Sequence, residues 1–341
     1  MIAIVGTVVV KAKLFPTPPS NQHRRPTAPY QVSGSIISDY VKADGSIRTV
    51  SNSFRVVVAD CRSRITAGGG AGAGAIGIES NEYCCDGTNS SLLVKFVPHT
   101  NTANQAELTL NTGPVPEYGN GLISQVWLAY ASACFYMNST SEWTDAVFFM
   151  GRGFRENDLK VRSEWKLTTR VPPVLEHMCD FSDGYRYNTQ YNEQDDDNIL
   201  LKEKMPRPFD RENTNAIYSV LQWTNFQGLT LPLEWRVVHY MPTLEPNLAN
   251  GKLEPRMTIH GYTTSVGTGA ADMNFAPSVP KVTRVIDKTL EAQGVPLRMY
   301  IYLASDGRLR TLAEIKRDPD LKTALQEGRR VWGSQYPTPP K

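Results

Sequence analysis

Four Asp-Gly dipeptides, Asp44-Gly45, Asp86-Gly87, Asp183-Gly184 and Asp306-Gly307, limit what this chain can fold into more than any other feature. The dipeptide supplies the positive φ angles that tight hairpin turns demand, and each copy stands beside a run with strand character. Tyr30 to Ile36 runs into the first turn and Ser46 to Val50 runs out. Ser53 to Asp60 then places Phe54, Val56 and Val58 on one face of an extended segment, and Cys61 to Ile65 continues the alternation. Ile76 to Ser80, the pair Cys84-Cys85, the second turn and Leu92 to Val97 close a meander. Antiparallel sheet is therefore predicted.

The same style recurs later. Ala106 to Leu110 is a short strand. Ala216 to Trp223 and Leu233 to Tyr240 read as paired strands joined through Asn225-Phe226-Gln227-Gly228. Met257 to Tyr262, Val282 to Ile286 and Leu297 to Leu303 follow, the last with Tyr300 and Tyr302 on one face. Helical spacing is confined to a few places. Leu122, Val126, Tyr130 and Cys134 lie four apart, with Ile123, Trp127 and Ala131 beside them, which predicts a helix near 122–137. Trp143 to Met150 is read as a second short helix packed on the sheet. Leu309, Leu312 and Ile315 mark another helical turn, which Asp318-Pro319-Asp320 breaks. The fold class expected is β-rich α+β, a large antiparallel sheet covered by one or two helices. It spans 30–305, with a helical segment and tail over 306–341.

With 341 residues and 40% hydrophobic content the chain can bury a real core. A formal net charge of +2 over this length gives no electrostatic footprint for nucleic acid. The segment from Met1 to Val10 is almost wholly apolar but too short to span a bilayer. It and the Pro-rich stretch to Pro29 read either as a truncated anchor or signal remnant followed by a linker, or as an ordinary first strand.

No constellation of residues specifies a reaction. Gly72-Ala73-Gly74-Ala75-Ile76-Gly77 matches a dinucleotide-binding pattern, but strand-like residues follow it where a helix N-terminus is needed, so no cofactor is expected. Glu193 to Asp197 lacks the glycine and distal glutamate of a calcium loop. The five cysteines show no Cys-x-x-Cys spacing, and the five histidines no zincin spacing, so no metal site is expected. Cys61 could reach Cys84 or Cys85 across neighbouring strands in an oxidising compartment. In Glu176 to Asp180, His177 and Cys179 share one face of a strand, while Glu176, Met178 and Asp180 share the other. A Cys-His nucleophilic pair would need closer side chains than that spacing usually gives.

The order of features carries a resemblance. The apolar start and Pro-rich linker, Tyr30 to Gly34, Phe54 to Val58, Cys84-Cys85-Asp86-Gly87, Ile123 to Ala131 and Gly228 to Pro232 together resemble uncharacterised envelope proteins of Verrucomicrobia-type bacteria. More distantly, the strands with Asp-Gly turns resemble periplasmic lipoprotein-localisation carriers, whose curved sheet holds an acyl chain on a concave apolar face. That resemblance implies a curved sheet, a meander or half-barrel, in a non-enzymatic protein of the cell envelope or periplasm. Its partner would be a lipid or other hydrophobic small molecule. No binding residue carries over from the resemblance; the strands themselves offer Phe54, Val56, Val58, Trp223, Trp235 and Tyr240 as lining, residues that core packing explains equally well. Two alternatives stand beside it: a structural or interaction module that binds another envelope protein, and a hydrolase.

Overall fold

The computed structural model describes residues 29–42, 44–68, 78–96, 106–113, 121–133, 144–145, 160–192, 197–240, 253–269, 273–281, 283–295 and 297–320. Within them the chain forms β1 (Tyr30–Val41), β2 (Ile47–Ala59), β3 (Arg62–Gly68), β4 (Ile78–Cys85), β5 (Ser90–Phe96), β6 (Ala106–Asn111) and α1 (Gly121–Tyr130). Next come β7 (Thr144–Asp145), β8 (Lys160–Leu167), β9 (Leu175–Ser182), β10 (Tyr185–Asn192) and β11 (Asp197–Lys204). The remaining elements are β12 (Asn213–Phe226), β13 (Leu229–His239), β14 (Met257–Thr268), β15 (Thr283–Asp287), α2 (Lys288–Glu291), α3 (Leu297–Tyr300), β16 (Ile301–Ala304) and α4 (Leu312–Arg317).

Fourteen strands make one curved, unclosed sheet in the order β16-β15-β6-β5-β4-β3-β2-β1-β14-β13-β12-β9-β8-β7. Its pairs are antiparallel except β6 with β15. Strands β10 and β11 pair separately. The two strongest sequence regions meet in the middle: β1 pairs with β2 on one side and with β14 on the other, and β14 continues to β13 and β12.

Alternation divides the sheet into two faces. On the inner face Val32, Ile36, Phe54, Val56, Val58, Ile65, Tyr83, Met178, Tyr218, Trp235, Val237 and Ile259 form one buried cluster with α1. The helix is predominantly apolar and buried all round: Ile123, Val126, Trp127, Leu128 and Tyr130 are enclosed, and so are the polar Ser124 and Gln125. It lies against β2, β3, β4, β9 and β13. On the outer face Val57 and Ala59 pack against Phe275, while Leu93 and Leu108 pack against Val285 and Ala304.

Several local expectations change. The run from Ser53 to Ile65 is not one strand. Asp60 takes φ 57°, the left-handed region, and the chain reverses at Asp60-Cys61 into a β2–β3 hairpin. Asp183-Gly184 turns the chain out of the large sheet into the two-stranded one, because β9 already has β8 and β12 as neighbours. Leu297 to Tyr300 is a helical turn, so Tyr300 and Tyr302 do not share a strand face. Thr144-Asp145, read as helix, pairs with β8 as a strand. The rest of 143–150, the segments 1–28, 69–77 and 193–196, and the continuation of α1 beyond Ala133 lie outside the described residues. The α4 turn is as read: Thr311 and Glu314 form a reciprocal cap, and the helix stops before Asp318-Pro319.

Candidate functional site

The inner face of the sheet is the candidate site, and its geometry starts with two glycines. Gly34 of β1 and Gly261 of β14 carry no side chain where Phe54 and Trp235 cross the strands. Those rings lie over bare backbone. Phe54 also meets the Tyr130 ring at 5.8 Å between centroids, and Trp235 meets Tyr218 at 6.2 Å. The result is an aromatic floor beneath α1. Each such side chain contributes roughly 1.5–3 kcal/mol by leaving water.

Polar atoms fasten the helix to that floor. Tyr30 Oη donates to the Tyr130 carbonyl at 2.6 Å. Trp235 Nε1 donates to Tyr130 Oη at 3.2 Å, and Thr263 Oγ1 lies 2.7 Å from the same oxygen and donates to the Pro232 carbonyl at 2.7 Å. Burial pushes the Tyr130 phenol up to about 12, with the bonds from Thr263 and Trp235 pulling the other way.

Further along the face the character changes. Ser163, Asp180, Ser182, Asn213 and His239 stand at inner positions of β8, β9, β12 and β13, and Gln125 of α1 joins them with Nε2 3.4 Å from His239 Nε2. Ser163 Oγ donates to Asp180 Oδ1 at 2.5 Å. Complete burial pushes the Asp180 carboxyl up to about 7, against the Ser163 bond, and burial pushes the His239 imidazole down to about 4. Both groups are neutral over most of the acidic to neutral range.

Of the six residues expected to line a ligand site, the structure brings Phe54, Val56, Val58 and Trp235 into one buried cluster against α1. Trp223 packs at the margin of that cluster with the Arg170 guanidinium 5.1 Å above its ring. Tyr240 stands outside it, just past β13, its amide bonded to the Asn215 carbonyl. Tyr130, Gln125, Asp180, Tyr218 and His239 are not among the lining residues expected from sequence. One signal was available for Asp180: it shares a strand face with Met178, and a carboxylate on an apolar face is conspicuous.

His177 and Cys179 do share the opposite face of β9, but they do not form a nucleophilic pair. His177 Nδ1 lies 3.0 Å from Ser219 Oγ, and burial pushes the Cys179 thiol up to about 11, where it stays protonated. Cys61, Cys84, Cys85 and Cys179 are thiols, and neighbouring Cys84 and Cys85 face opposite ways, Cys84 towards Glu82 and Cys85 towards the Cys61 carbonyl. Among the described residues no three side chains are grouped to hold a metal ion, and no helix is long and apolar enough to cross a membrane. A concavity of about 800 Å3 lies beside the outer-face segment 273–277, lined by Arg62, Cys84, Asn111, Phe275 and Gln293 among others.

No protein-family model and no curated protein matches this chain. Solved structures overlap it loosely. A LolA superfamily protein from Nitrosomonas europaea has 10% identity, a TM-score of 0.31, and a match covering 74% of this chain and 92% of its own. A putative outer membrane lipoprotein-sorting protein domain from Vibrio parahaemolyticus has 9% identity and a TM-score of 0.28, covering 73% and 89%. A DUF1329 family protein from Desulfovibrio piger has 6% identity and a TM-score of 0.26, covering 73% and 88%. At such overlaps the strand order given above, not the likeness, describes the fold.

Proposed function

We propose that this chain is a non-enzymatic protein of the cell envelope that carries a lipid or other hydrophobic molecule on the inner face of its curved sheet. One observation carries the reading: the apolar inner face is continuous from β4 across β1 to β12, and among the described residues a single ten-residue helix covers it. A helix that short has little stability of its own in water and is held by side-chain packing. An acyl chain offers the same apolar contacts and competes with α1 for the same surface. Phe54, Val56, Val58 and Trp235 form the floor in this reading, with Trp223 at the margin and Tyr240 at the strand end. The test is native mass spectrometry after purification without detergent, together with titration of an environment-sensitive alkyl fluorophore. Co-purifying lipid and saturable, one-to-one fluorophore binding support the proposal. A ligand-free protein that also leaves the fluorophore in water overturns it.

A further inference from the structure

On the inner face, neighbouring positions of β9, β12 and β13 read Asp180, Ala216 and His239 across the strands. Asn213 stands on the adjoining rung opposite Ser182, and Gln125 reaches His239 from the helix above. All these side chains are more than nine-tenths buried. Nevertheless Asp180 Oδ2, Gln125 Oε1 and Asn213 Oδ1 have no hydrogen-bond partner among the described residues. A buried acceptor left without a donor loses its hydration with nothing in return, and loses more where it carries charge. Ala216 projects only a methyl group between Asp180 and His239. Three orphaned acceptors on this rung, the adjoining one and the helix above are a costly way to pack a core.

A primary ammonium answers that arrangement: it carries three N–H donors and no acceptor, and its charge favours release of the proton that burial otherwise keeps on the one carboxyl group present, leaving an ion pair. His239 adds no opposing cation, since burial holds its imidazole neutral down to about pH 4. Asn215 Nδ2, at the neighbouring strand irregularity, is a buried donor without a partner among the described residues and suits an oxygen borne close to the nitrogen. We infer that the Asp180–Ala216–His239 rung is a seat for a primary ammonium group of the ligand, with Asp180, Gln125 and Asn213 as its acceptors. The inference rests on the carrier reading in one respect, that the chain behind the ammonium lies along the apolar inner face.

Calorimetric titration of the full chain tests it, using dodecylamine, dodecanol and ethanolamine below their aggregation concentrations, on the wild type and on Asp180→Asn and Ala216→Val. Dodecylamine should bind about tenfold tighter than dodecanol, the worth of one charge-assisted bond. Asp180→Asn, which keeps the shape of the carboxyl, should bring the amine-to-alcohol ratio to within about twofold of unity, and Ala216→Val should do the same by filling the seat. Equal binding of amine and alcohol by the wild type overturns the seat and leaves the carrier reading standing. So does a preference that survives Asp180→Asn. Ethanolamine binding as tightly as dodecylamine supports the seat and overturns the carrier reading, while no binding of any of the three overturns both.

Discussion

The indole of Trp235 covers its cross-strand neighbour Gly261 so closely that a Cβ at 261 would stand 2.0 Å from Cε2 and 2.2 Å from Cζ2. The same relation holds one strand over, where a Cβ at Gly34 would meet the Tyr262 carbonyl oxygen at 2.0 Å and Phe54 Cζ at 2.6 Å. Two aromatic rings thus lie in notches cut by missing side chains. The notches lower the floor of the inner face and make room for α1 above it.

Gly261→Ala should therefore destabilise the fold although alanine is the smallest possible change. The added methyl cannot fit without lifting the indole, and forced repacking of this kind costs about 1–3 kcal/mol. The indole cannot lift without moving Tyr130, its hydrogen-bond partner, and α1 with it. A lowered urea midpoint with unchanged slope checks the prediction. Gly228→Ala is the contrasting variant: its φ of 83° makes it strained as well, but no atom lies within 4 Å of a Cβ there, so aromatic fluorescence should stay native.

Tyr130→Phe isolates the polar fastening of the helix. Removing Oη leaves Trp235 Nε1 buried without its acceptor and takes one partner from Thr263, while the ring contact with Phe54 is retained. The expected loss is about 1–3 kcal/mol, measured by chemical denaturation. Adding Thr263→Val should cost less in the Tyr130→Phe background than in the wild type, since their shared contact is already gone.

The sheet was legible because its signals are local. Alternation marked Phe54, Val56 and Val58 as one face, and Asp44-Gly45 and Asp86-Gly87 marked two real hairpins. The β2–β3 turn was not legible, since Asp60-Cys61 has no glycine and takes its positive φ on an aspartate. The candidate site was only partly legible for a related reason. Apolar floor residues announce themselves on their own strands. The rung of Asp180, Ala216 and His239 exists only once β9, β12 and β13 are set in register, and no spacing in the chain encodes that. Likewise, α1 declared its apolar character but not that it would be enclosed on every side.

Cysteine chemistry gives a prediction with a clear direction. Burial pushes the Cys84 thiol up to about 12 and those of Cys85 and Cys179 up to about 11. Alkylation requires thiolate, so at pH 8 Cys85 and Cys179 should react with iodoacetamide roughly a hundredfold more slowly, and Cys84 roughly a thousandfold more slowly, in the native protein than in urea. Peptide mapping after timed quenching reads each site separately. Rapid native labelling at Cys179 would contradict its environment and reopen a nucleophilic role for it.

The pH dependence of stability should expose the rung directly, because its two titratable groups act in opposite senses. Asp180 has its carboxyl raised from 3.8 to about 7 by burial, so between those values the folded chain holds a proton that the unfolded chain has released. Stability must fall as pH rises through that window, by roughly 4 kcal/mol in all. His239 has its imidazole lowered from 6.5 to about 4, so over that interval the unfolded chain holds the extra proton. Stability must rise with pH there, by roughly 3 kcal/mol. From pH 4 to 6.5 the two slopes oppose each other and this pair contributes almost no net dependence. Asp180→Asn removes one slope and unmasks the other. The variant should match the wild type near pH 4, gain steadily to pH 6.5, and exceed it by up to roughly 4 kcal/mol at pH 7. Urea titrations at half-unit intervals of pH measure the difference. Parallel wild-type and variant profiles from pH 4 to 7 would mean that Asp180 titrates as a solvated carboxyl, and the closed, dry rung would have to be abandoned.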